Sequence, residues 1–320
     1  MNTQSRGAEI LDALGEDFIE GLGLALELRP DESMARHTTL RLGGPADLWV
    51  RPATPEALSS LLARTHALGV PVTFVGGGTN LLVRDGGIRG VVVNLGRMNA
   101  VGRPDPEQHP GRVEVESGAS TGRLLSFCAR LELGGVEFLG GVPGSVGGGL
   151  IMNAGTYLGE FTDVVTEVQS MNLRGEWRHR THAECGFRYR DSDLPRDEVT
   201  VRARLELTPR PRAEIDEAVG GLRARRKERE PTGVGNNGST FKNPPGDYAG
   251  RLIEAAGLKG LRRGGAFVSP KHANWLVVDK GAEPPCRSAD LLELIAEVAA
   301  AVEAQFGVQL QREVKILGED

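Results

Sequence analysis

Two clusters of glycine constrain the fold of this chain more than any other feature. The first, Gly76-Gly77-Gly78-Thr79-Asn80, directly follows the apolar run Val70–Val75, and the second extends from Gly140 to Gly149. Glycine lets a bound group approach main-chain N–H groups that a Cβ atom would shield. The second cluster holds six glycines and one proline, so we expect neither a regular helix nor a regular strand there.

Two backbone cradles of this kind indicate one long, polyanionic ligand, and a dinucleotide such as FAD would need both of them. The commoner nucleotide folds do not fit. The sequence has no Gly-x-x-x-x-Gly-Lys-[Ser/Thr] motif, and no Gly-x-Gly-x-x-Gly opens a helix after a strand with an acidic residue at the required distance. A tight turn remains the alternative for either loop taken alone.

The length of the chain predicts its number of domains, and its net charge indicates which kinds of partner to expect. A chain of 320 residues predicts two or three domains. The 38 basic and 43 acidic residues give a net charge of −5, which is no reason to expect a nucleic acid or a membrane surface as partner. We expect a monomer that acts on small molecules.

The cysteines and the N-terminal segment predict a soluble, cytoplasmic protein. Cys128, Cys185 and Cys286 form no Cys-x-x-Cys pair, so we expect buried thiols and neither disulfides nor a metal site. His179 and His182 are interpreted as a solvated pair rather than metal ligands. The first thirty residues carry apolar side chains at helical spacing, which predicts one amphipathic helix and no signal peptide.

Hydrophobic periodicity predicts an α+β fold. Up to Gly155 the pattern alternates between strands and helices, with helices starting after Thr54 and at Thr121. Val164–Met171 and Val199–Leu207 then alternate with period two, as in a half-buried antiparallel sheet. Pro209 and Pro211 end this part and mark our predicted domain boundary.

The remaining third of the chain predicts a compact α/β unit. We expect Asp247 to cap a helix that stops at Gly257, Ala273–Val278 to form a strand, and Ser288 to start a long helix that ends at Gly307. The basic segment Arg223–Pro231 is either a solvated helix end or a set of phosphate donors.

Polar residues cluster where apolar packing would not require them. These clusters are Phe187-Arg-Tyr-Arg-Asp-Ser192, Asn236-Asn-Gly-Ser-Thr-Phe-Lys-Asn-Pro244 and Arg312-Glu-Val-Lys315. Together with the two glycine clusters and Asn153-Ala-Gly155, they resemble the UDP-N-acetylenolpyruvoylglucosamine reductase family, the flavoenzymes of peptidoglycan precursor synthesis. The resemblance runs from Thr38 to Gly318, and its motifs occur in the family's order.

The resemblance implies an FAD-binding region of the vanillyl-alcohol-oxidase/PCMH type and an NADPH-dependent reaction. Two FAD-binding subdomains would occupy residues 1–70 and 71–210, and an α/β substrate-binding domain would occupy residues 211–320. In this family NADPH reduces FAD, flavin N5 delivers hydride to C3 of the enolpyruvyl group, and a proton is added at C2. The product is UDP-N-acetylmuramate.

The family's functional residues fall on matching positions of this sequence. Arg190 would stabilise the substrate carboxylate, Ser239 would donate the proton, and Glu313 would assist protonation or stabilise the enolic intermediate. The cofactor contacts would be Gly76, Gly77, Gly78, Thr79, Asn80, Leu81, Val142, Pro143, Gly144, Ser145, Gly147, Gly148, Asn153 and Gly155. The substrate contacts would be Tyr189, Lys242, Asn243, Lys271 and Asn274.

The chain departs from the family pattern at two places. Asn236-Asn237 stands where the family commonly has Asn-Ala, and no tyrosine lies between Asp191 and Tyr248, which places the chain in the subgroup without an inserted nucleotide-closing loop. The first glycine cluster contains no histidine, so we expect FAD to be bound non-covalently. An oxygen-using flavin oxidase and a catalytically silent sensor remain the alternatives, and retention of all three catalytic residues argues against the sensor.

Overall fold

The computed structural model describes residues 5–320. Its α-helices are α1 (Arg6–Leu14), α2 (Glu16–Leu22), α3 (Pro55–Ala67), α4 (Thr121–Arg130), α5 (Val146–Ile151), α6 (Arg212–Arg229), α7 (Ala249–Ala255) and α8 (Ser288–Phe306). Its strands are β1 (Leu26–Ser33), β2 (Pro45–Pro52), β3 (Val72–Phe74), β4 (Leu81–Val83), β5 (Ile88–Val93), β6 (Val101–Gly102), β7 (Arg112–Glu116), β8 (Leu133–Gly134), β9 (Gly155–Thr156), β10 (Gly159–Glu160), β11 (Val165–Asn172), β12 (Trp177–Thr181), β13 (Glu198–Glu206), β14 (Thr208–Pro209), β15 (Arg262–Arg263), β16 (Ala266–Val268), β17 (Leu276–Val278) and β18 (Lys315–Leu317).

The chain forms two compact units, each built from separate stretches of sequence. The first unit contains residues up to 31 together with 47–77 and 90–225, and the second contains 32–46, 78–89 and 226–320. Pro209 and Pro211, our predicted boundary, therefore lie inside the first unit. Two short segments from the N-terminal half belong to the second unit, an arrangement that composition along the chain does not reveal.

The first unit has two hydrophobic cores that share strands β11 and β13. A four-stranded sheet in the order β1-β2-β5-β3 packs with α3 around the first core, and a five-stranded sheet in the order β12-β11-β13-β7-β6 packs with α4 around the second. Val199 and Val201 at the start of β13 enter the first core, whereas Ala203 and Leu205 enter the second. Strand β11 also enters both cores, with Met171 in the first and Val165 and Val168 in the second, so two neighbouring strands connect them.

The second unit surrounds a third core. The sheet β15-β16-β17 packs against α7 and α8, which contribute Leu252, Ile253 and Leu291 among others. Strand β4 pairs in parallel with β18, with Leu81 opposite Lys315. This pairing brings the end of the first glycine cluster beside the C-terminal polar cluster.

Several predicted helices are confirmed together with their end signals. Thr54 caps α3 through a bond from the Ala57 N–H, and Pro55 occupies its first turn. Helix α4 begins at Thr121 as predicted, and α8 runs from Ser288 to Phe306 before left-handed Gly307. The start of α8 has a further cap, because the Asp85 carboxylate accepts hydrogen bonds from the N–H groups of Ser288 and Ala289.

Three local predictions are wrong, for identifiable reasons. The single N-terminal helix is two helices, since Gly15 adopts φ 90° between α1 and α2. The second glycine cluster does contain a helix, α5, which is capped by Ser145 and packed so closely that a Cβ on Gly149 would lie 2.4 Å from the Phe161 ring. Tyr248 rather than Asp247 occupies the N-cap position of α7, and the Asp247 carboxylate instead accepts from the Tyr248 N–H and pairs with Arg251.

The predicted burial of the three cysteines is confirmed for two of them. Cys128 and Cys185 are buried, whereas Cys286 is partly exposed, and all three are free. Burial raises the pKa of Cys128 to about 12 and that of Cys185 to about 11. Since the thiolate is the reactive form, these two side chains act as small apolar core residues.

Residues 5–320 contain neither a helix that could span a membrane nor a cluster of side chains that could bind a metal ion. None of the helices in that range combines the length and the apolar character needed to cross a bilayer. Within the same range no three histidine, cysteine or acidic side chains are grouped so that they could hold a metal ion. His182 instead bonds through Nδ1 to the Val165 carbonyl at 2.9 Å.

Candidate active site

Gly76 and Gly77 of the first glycine cluster meet the second cluster inside the first unit. A Cβ atom on Gly77 would lie 2.8 Å from Cα of Gly144 and 3.3 Å from the Ser145 nitrogen. A Cβ on Gly76 would lie 2.5 Å from Ser145 Oγ. Side chains at these positions would fill the space where the two main chains come together, so the glycines are required for the approach itself.

The side chain of Asn94 holds the first loop in its conformation. Its Nδ2 donates to the carbonyls of Val75 and Gly76, both at 2.9 Å, and its Oδ1 accepts from the Gly96 N–H. In a trans peptide the N–H points opposite to the C=O. The N–H groups of Gly76 and Gly77 are therefore directed away from Asn94, on the side of the loop where an anionic group could be bound.

The second loop is fixed by its neighbours in the same unit. Ser145 Oγ accepts from the Gly148 N–H and caps α5. Thr121 at the start of α4 donates from its hydroxyl to the Val142 carbonyl at 2.6 Å and from its N–H to the Gly144 carbonyl at 3.1 Å. The loop is thus preorganised, and Gly144 has φ 124°, a conformation that side chains disfavour.

These features fit the phosphate-bearing part of FAD. At Gly77 and Gly144 the main chain adopts positions or conformations that only glycine allows. The same holds for Gly78, where a Cβ would lie 1.8 Å from the His37 carbonyl oxygen in the second unit. Thr79 and Asn80 complete the first cluster, and Leu81 opens β4. Of the other predicted contacts, Pro143 and Gly148 are exposed, while Gly147 packs on Ser117 inside the unit.

Arg190 lies in a tight turn of the first unit. The N–H and C=O groups of Arg188 and Asp191 bond to each other in both directions at 3.0 Å, which leaves Tyr189 and Arg190 as the two central residues. Arg190 has φ 55° and donates through Nη2 to the Gly155 carbonyl at 3.2 Å. Its guanidinium lies 5.2 Å from the Tyr189 ring centroid, a cation–π distance.

Ser239 and Glu313 are brought to neighbouring positions in the second unit. Ser239 follows Gly238, whose φ of 78° turns the chain, and the next residue, Thr240, accepts from the Glu313 N–H at 2.8 Å. Phe241 and Arg312 form an isolated antiparallel β-bridge. Asn80 donates from Nδ2 to the Glu313 carbonyl at 3.2 Å, and Lys315 donates to the Asn80 carbonyl.

The predicted substrate contacts differ in their surroundings. The Asn274 side chain is buried and uses both of its polar atoms on the backbone of Phe241, at 2.8 and 3.0 Å. Its predicted contact with substrate therefore gains no support from the structure, and it instead holds the segment that follows Ser239. Lys242 is partly exposed, Asn243 and Lys271 are exposed, and Lys271 donates to the Lys227 carbonyl at 2.7 Å.

Among the carboxylates of the second unit, Glu230 and Asp247 have pKa values shifted in opposite directions. Burial raises the pKa of Glu230 above its ordinary value, although Arg226, 2.9 Å away, and Lys271 oppose that shift. The side-chain hydrogen bond from Arg251, together with the Tyr248 N–H, lowers the pKa of Asp247 to about 2. Asp247 therefore remains a carboxylate at neutral pH, and its partner is Arg251.

Sequence reasoning missed two residues of this region. Asn94 organises the first loop, and its only sequence signal is an asparagine directly after the strand Val91–Val93. Tyr157 is 60% exposed at the tip of the β9–β10 hairpin, next to the predicted contact Gly155, and the Arg225 guanidinium lies 4.9 Å from its ring centroid. A large exposed aromatic ring beside a glycine was the available signal for Tyr157.

Most of the chain is similar to known proteins. Residues 230–317 match the model of the UDP-N-acetylenolpyruvoylglucosamine reductase C-terminal domain, and residues 46–181 match that of an FAD binding domain. The UDP-N-acetylenolpyruvoylglucosamine reductase of Geobacter sulfurreducens is 44% identical over 92% of this chain and 95% of its own length. That of Clostridioides difficile is 38% identical over the whole of both chains.

A solved structure is similar as well. The crystal structure of the UDP-N-acetylenolpyruvylglucosamine reductase of Thermus caldophilus has a TM-score of 0.76 and 34% identity, and the similarity covers 92% of this chain and 99% of that one. These findings confirm the predicted α+β fold with an FAD-binding region.

Proposed function

We propose a reaction and its catalytic residues from the premise that this chain belongs to the UDP-N-acetylenolpyruvoylglucosamine reductase family. It is an oxidoreductase with an FAD-binding domain. The reaction we propose is the NADPH-dependent reduction of the enolpyruvyl group of UDP-N-acetylglucosamine enolpyruvate to UDP-N-acetylmuramate. One observation carries the residue assignment: the Glu313 N–H bonds to the Thr240 carbonyl, directly beside Ser239.

Bound FAD would supply hydride chemistry, taking a hydride from NADPH and passing it to the enolpyruvyl double bond. The double bond thereby gains a hydride at C3 and a proton at C2. Residues around Gly77 and Gly144 would hold the cofactor, because their main chains lie close together where no Cβ is present. What the protein must add is a cation for the carboxylate and a proton for C2.

Arg190 is the proposed cation. Hydride addition places negative charge on C2 and, by conjugation, on the adjacent carboxylate, so a fixed positive group lowers the barrier. A guanidinium suits a carboxylate because it donates two parallel hydrogen bonds. The left-handed backbone at Arg190 is a strained conformation of the kind that occurs at functional sites.

Ser239 is the proposed proton donor, and Glu313 its partner in the same unit. A serine hydroxyl is a weak acid and must be held in place while its alkoxide is stabilised. Lys242 and the backbone around Gly238 are candidates for that stabilisation. Glu313 would assist protonation at C2 or stabilise the enolic intermediate, and the bond from its N–H to the Thr240 carbonyl holds its backbone beside Ser239.

The remaining polar residues would bind the nucleotide sugar. Lys242 and Lys271 would supply charge to the diphosphate, together with Asn243, Tyr189 and the basic segment Arg223–Arg229. Asn274 would act indirectly, through Phe241. The three cysteines are free, which suits a reducing compartment such as the cytoplasm, and the proposed partners are small molecules only.

We predict that alanine at Lys242 or Lys271 raises KM for the UDP-sugar by roughly tenfold or more, since a charge-assisted hydrogen bond contributes about 1.5–3 kcal/mol. Flavin content should not change. Steady-state kinetics of each variant are the measurement, and Lys280→Ala, an exposed lysine of the same unit, is the matched control. An unaltered KM in both Lys242→Ala and Lys271→Ala would place the diphosphate elsewhere.

We also predict non-covalent FAD, because no histidine lies in Gly76–Asn80 to attach it. Acid or heat denaturation of the yellow protein should release intact FAD into the supernatant. Chromatography of the supernatant and of the washed precipitate measures the distribution. Flavin that stays with the precipitated protein would contradict this prediction and would favour the oxidase alternative.

The reaction itself is tested by product identification. Purified holoenzyme should consume NADPH only when UDP-N-acetylglucosamine enolpyruvate is present, and mass spectrometry should find a product heavier than the substrate by two hydrogen atoms. Consumption of oxygen in place of the enolpyruvyl substrate would support an oxidase. Binding of the UDP-sugar without NADPH consumption would support a sensor.

A further inference from the structure

The turn that carries Arg190 is held by the chain segment that follows the second glycine loop. Ser192 Oγ donates to the Ile151 carbonyl at 2.9 Å, and Asn153 Nδ2 donates to the Arg188 carbonyl at 3.3 Å. Arg190 itself donates to the Gly155 carbonyl. Hydrogen bonds from Ser192, Asn153 and Arg190 therefore connect Arg188–Ser192 to Ile151–Gly155 within the first unit.

Asn153 is the central residue of this connection. It is 0% exposed, and its Oδ1 accepts from the Thr162 N–H at 2.9 Å while its Nδ2 is bonded to Arg188. Both functional atoms of the side chain are thus engaged by backbone groups, away from the surface that a ligand could reach. This arrangement argues that Asn153 acts on the turn rather than on the cofactor.

The backbone explains why such a connection is needed. Arg190 has φ 55° and Asn153 has φ 39°, and left-handed conformations of residues other than glycine persist only where the surroundings hold them. Asparagine tolerates this conformation better than most residues. The same run of chain continues back through α5 to Ser145 in the second glycine loop.

We propose that Asn153 and Ser192 are positioning residues for Arg190, which they act on through the Arg188–Ser192 backbone. The inference rests on the proposed role of Arg190 as the cation for the substrate carboxylate. A displacement of about 1 Å at a positioned catalytic group can cost roughly 10²-fold in rate. Loss of either bond should therefore weaken carboxylate recognition and leave cofactor binding intact.

The test uses holoenzyme variants that remove one bond at a time. Asn153→Asp keeps the size, the tolerance of left-handed backbone and the acceptor for Thr162, but it replaces the donor to Arg188 by an oxygen. Ser192→Ala removes only the bond to Ile151 and serves if Asn153→Asp does not fold. Ser59→Ala is the matched control, because it removes a similar serine-to-carbonyl bond, to Gly175 at 2.8 Å, in the same unit.

Four quantities are measured anaerobically for each variant: flavin content, the rate of flavin reduction by NADPH, Kd of the oxidised enzyme for UDP-N-acetylglucosamine enolpyruvate, and the rate of reoxidation by it. We expect the first two to match wild type. Kd should rise and reoxidation should slow, each by roughly tenfold or more, the loss expected for a misplaced charge-assisted hydrogen bond. Ser59→Ala should change none of the four.

A double-mutant cycle with Arg190→Ala isolates the positioning effect. In that background the Asn153 and Ser192 substitutions should have no further effect on Kd or reoxidation. Additive effects, loss of flavin, or equal slowing of both half-reactions would overturn the inference and return Asn153 to the cofactor or to the fold. If Arg190→Ala alone leaves reoxidation unchanged, the proposed role of Arg190 fails first, and the inference fails with it.

Discussion

Ser239→Ala keeps flavin reduction by NADPH near the wild-type rate and slows reoxidation by the enolpyruvyl substrate roughly 10²-fold or more, the lower range for loss of a general acid. The two half-reactions differ because only the second needs a proton from the protein. Hydride transfer from NADPH requires no proton from the protein at carbon, whereas reduction of the enolpyruvyl group requires one at C2. Stopped-flow absorbance of the flavin under anaerobic conditions measures each half separately.

Two further results make this prediction specific. Ser239→Cys should recover part of the lost rate, since a thiol donates a proton from the same position. Glu313→Gln should also affect reoxidation only, because Glu313 lies on the segment paired with Thr240. Equal slowing of both halves in Ser239→Ala would instead give Ser239 a structural role in its turn.

Gly144→Val should yield protein that has lost its flavin. Gly144 has φ 124°, and the chain of Gly77 passes so close that a Cβ on Gly77 would lie 2.8 Å from Cα of Gly144. A branched side chain at position 144 would strain the backbone and separate the two loops. The measurement is the ratio of flavin to protein absorbance after purification, with circular dichroism to show that the variant is folded.

Gly257→Val is the control that separates the effect of backbone strain from the effect of loop contact. Gly257 also has positive φ, 73°, but a Cβ there would meet no atom within 4 Å. Gly257→Val should therefore keep its flavin, and Gly77→Ala should lose it as Gly144→Val does. A folded, fully yellow Gly144→Val protein would show that this loop does not hold the cofactor.

The sequence predicts the elements of the fold better than their long-range partners. Helices α3 and α8 follow from apolar spacing and from the residues at their ends, which are local signals. The cap that Asp85 provides for α8 joins residues 203 positions apart, and the bond from Asn80 to Glu313 joins residues 233 positions apart. No pattern within a short window contains such pairs.

The glycine clusters illustrate the same limit. Their composition predicts two cradles for a bound group, but it predicts neither the close approach of the two main chains nor helix α5. That helix forms because Ser145 caps it and because Ser117 and Phe161 pack against Gly147 and Gly149. Tertiary contacts thus outweigh the low helix propensity of glycine.

Three asparagines of the family motifs make backbone contacts that the sequence does not predict. Asn80, Asn153 and Asn274 match family motifs and were predicted to contact ligands. In the structure each donates a side-chain hydrogen bond to a backbone carbonyl, those of Glu313, Arg188 and Phe241 respectively. A motif indicates that a side-chain amide is needed, but only the fold shows which group it binds.

Anaerobic titration of the wild-type holoenzyme tests the central claim most directly. NADPH should bleach the flavin absorbance, and subsequent addition of UDP-N-acetylglucosamine enolpyruvate, with oxygen still excluded, should restore it as UDP-N-acetylmuramate forms. A flavin that NADPH does not reduce, or one that stays bleached with the enolpyruvyl substrate and recovers only when oxygen is admitted, would contradict the proposed function.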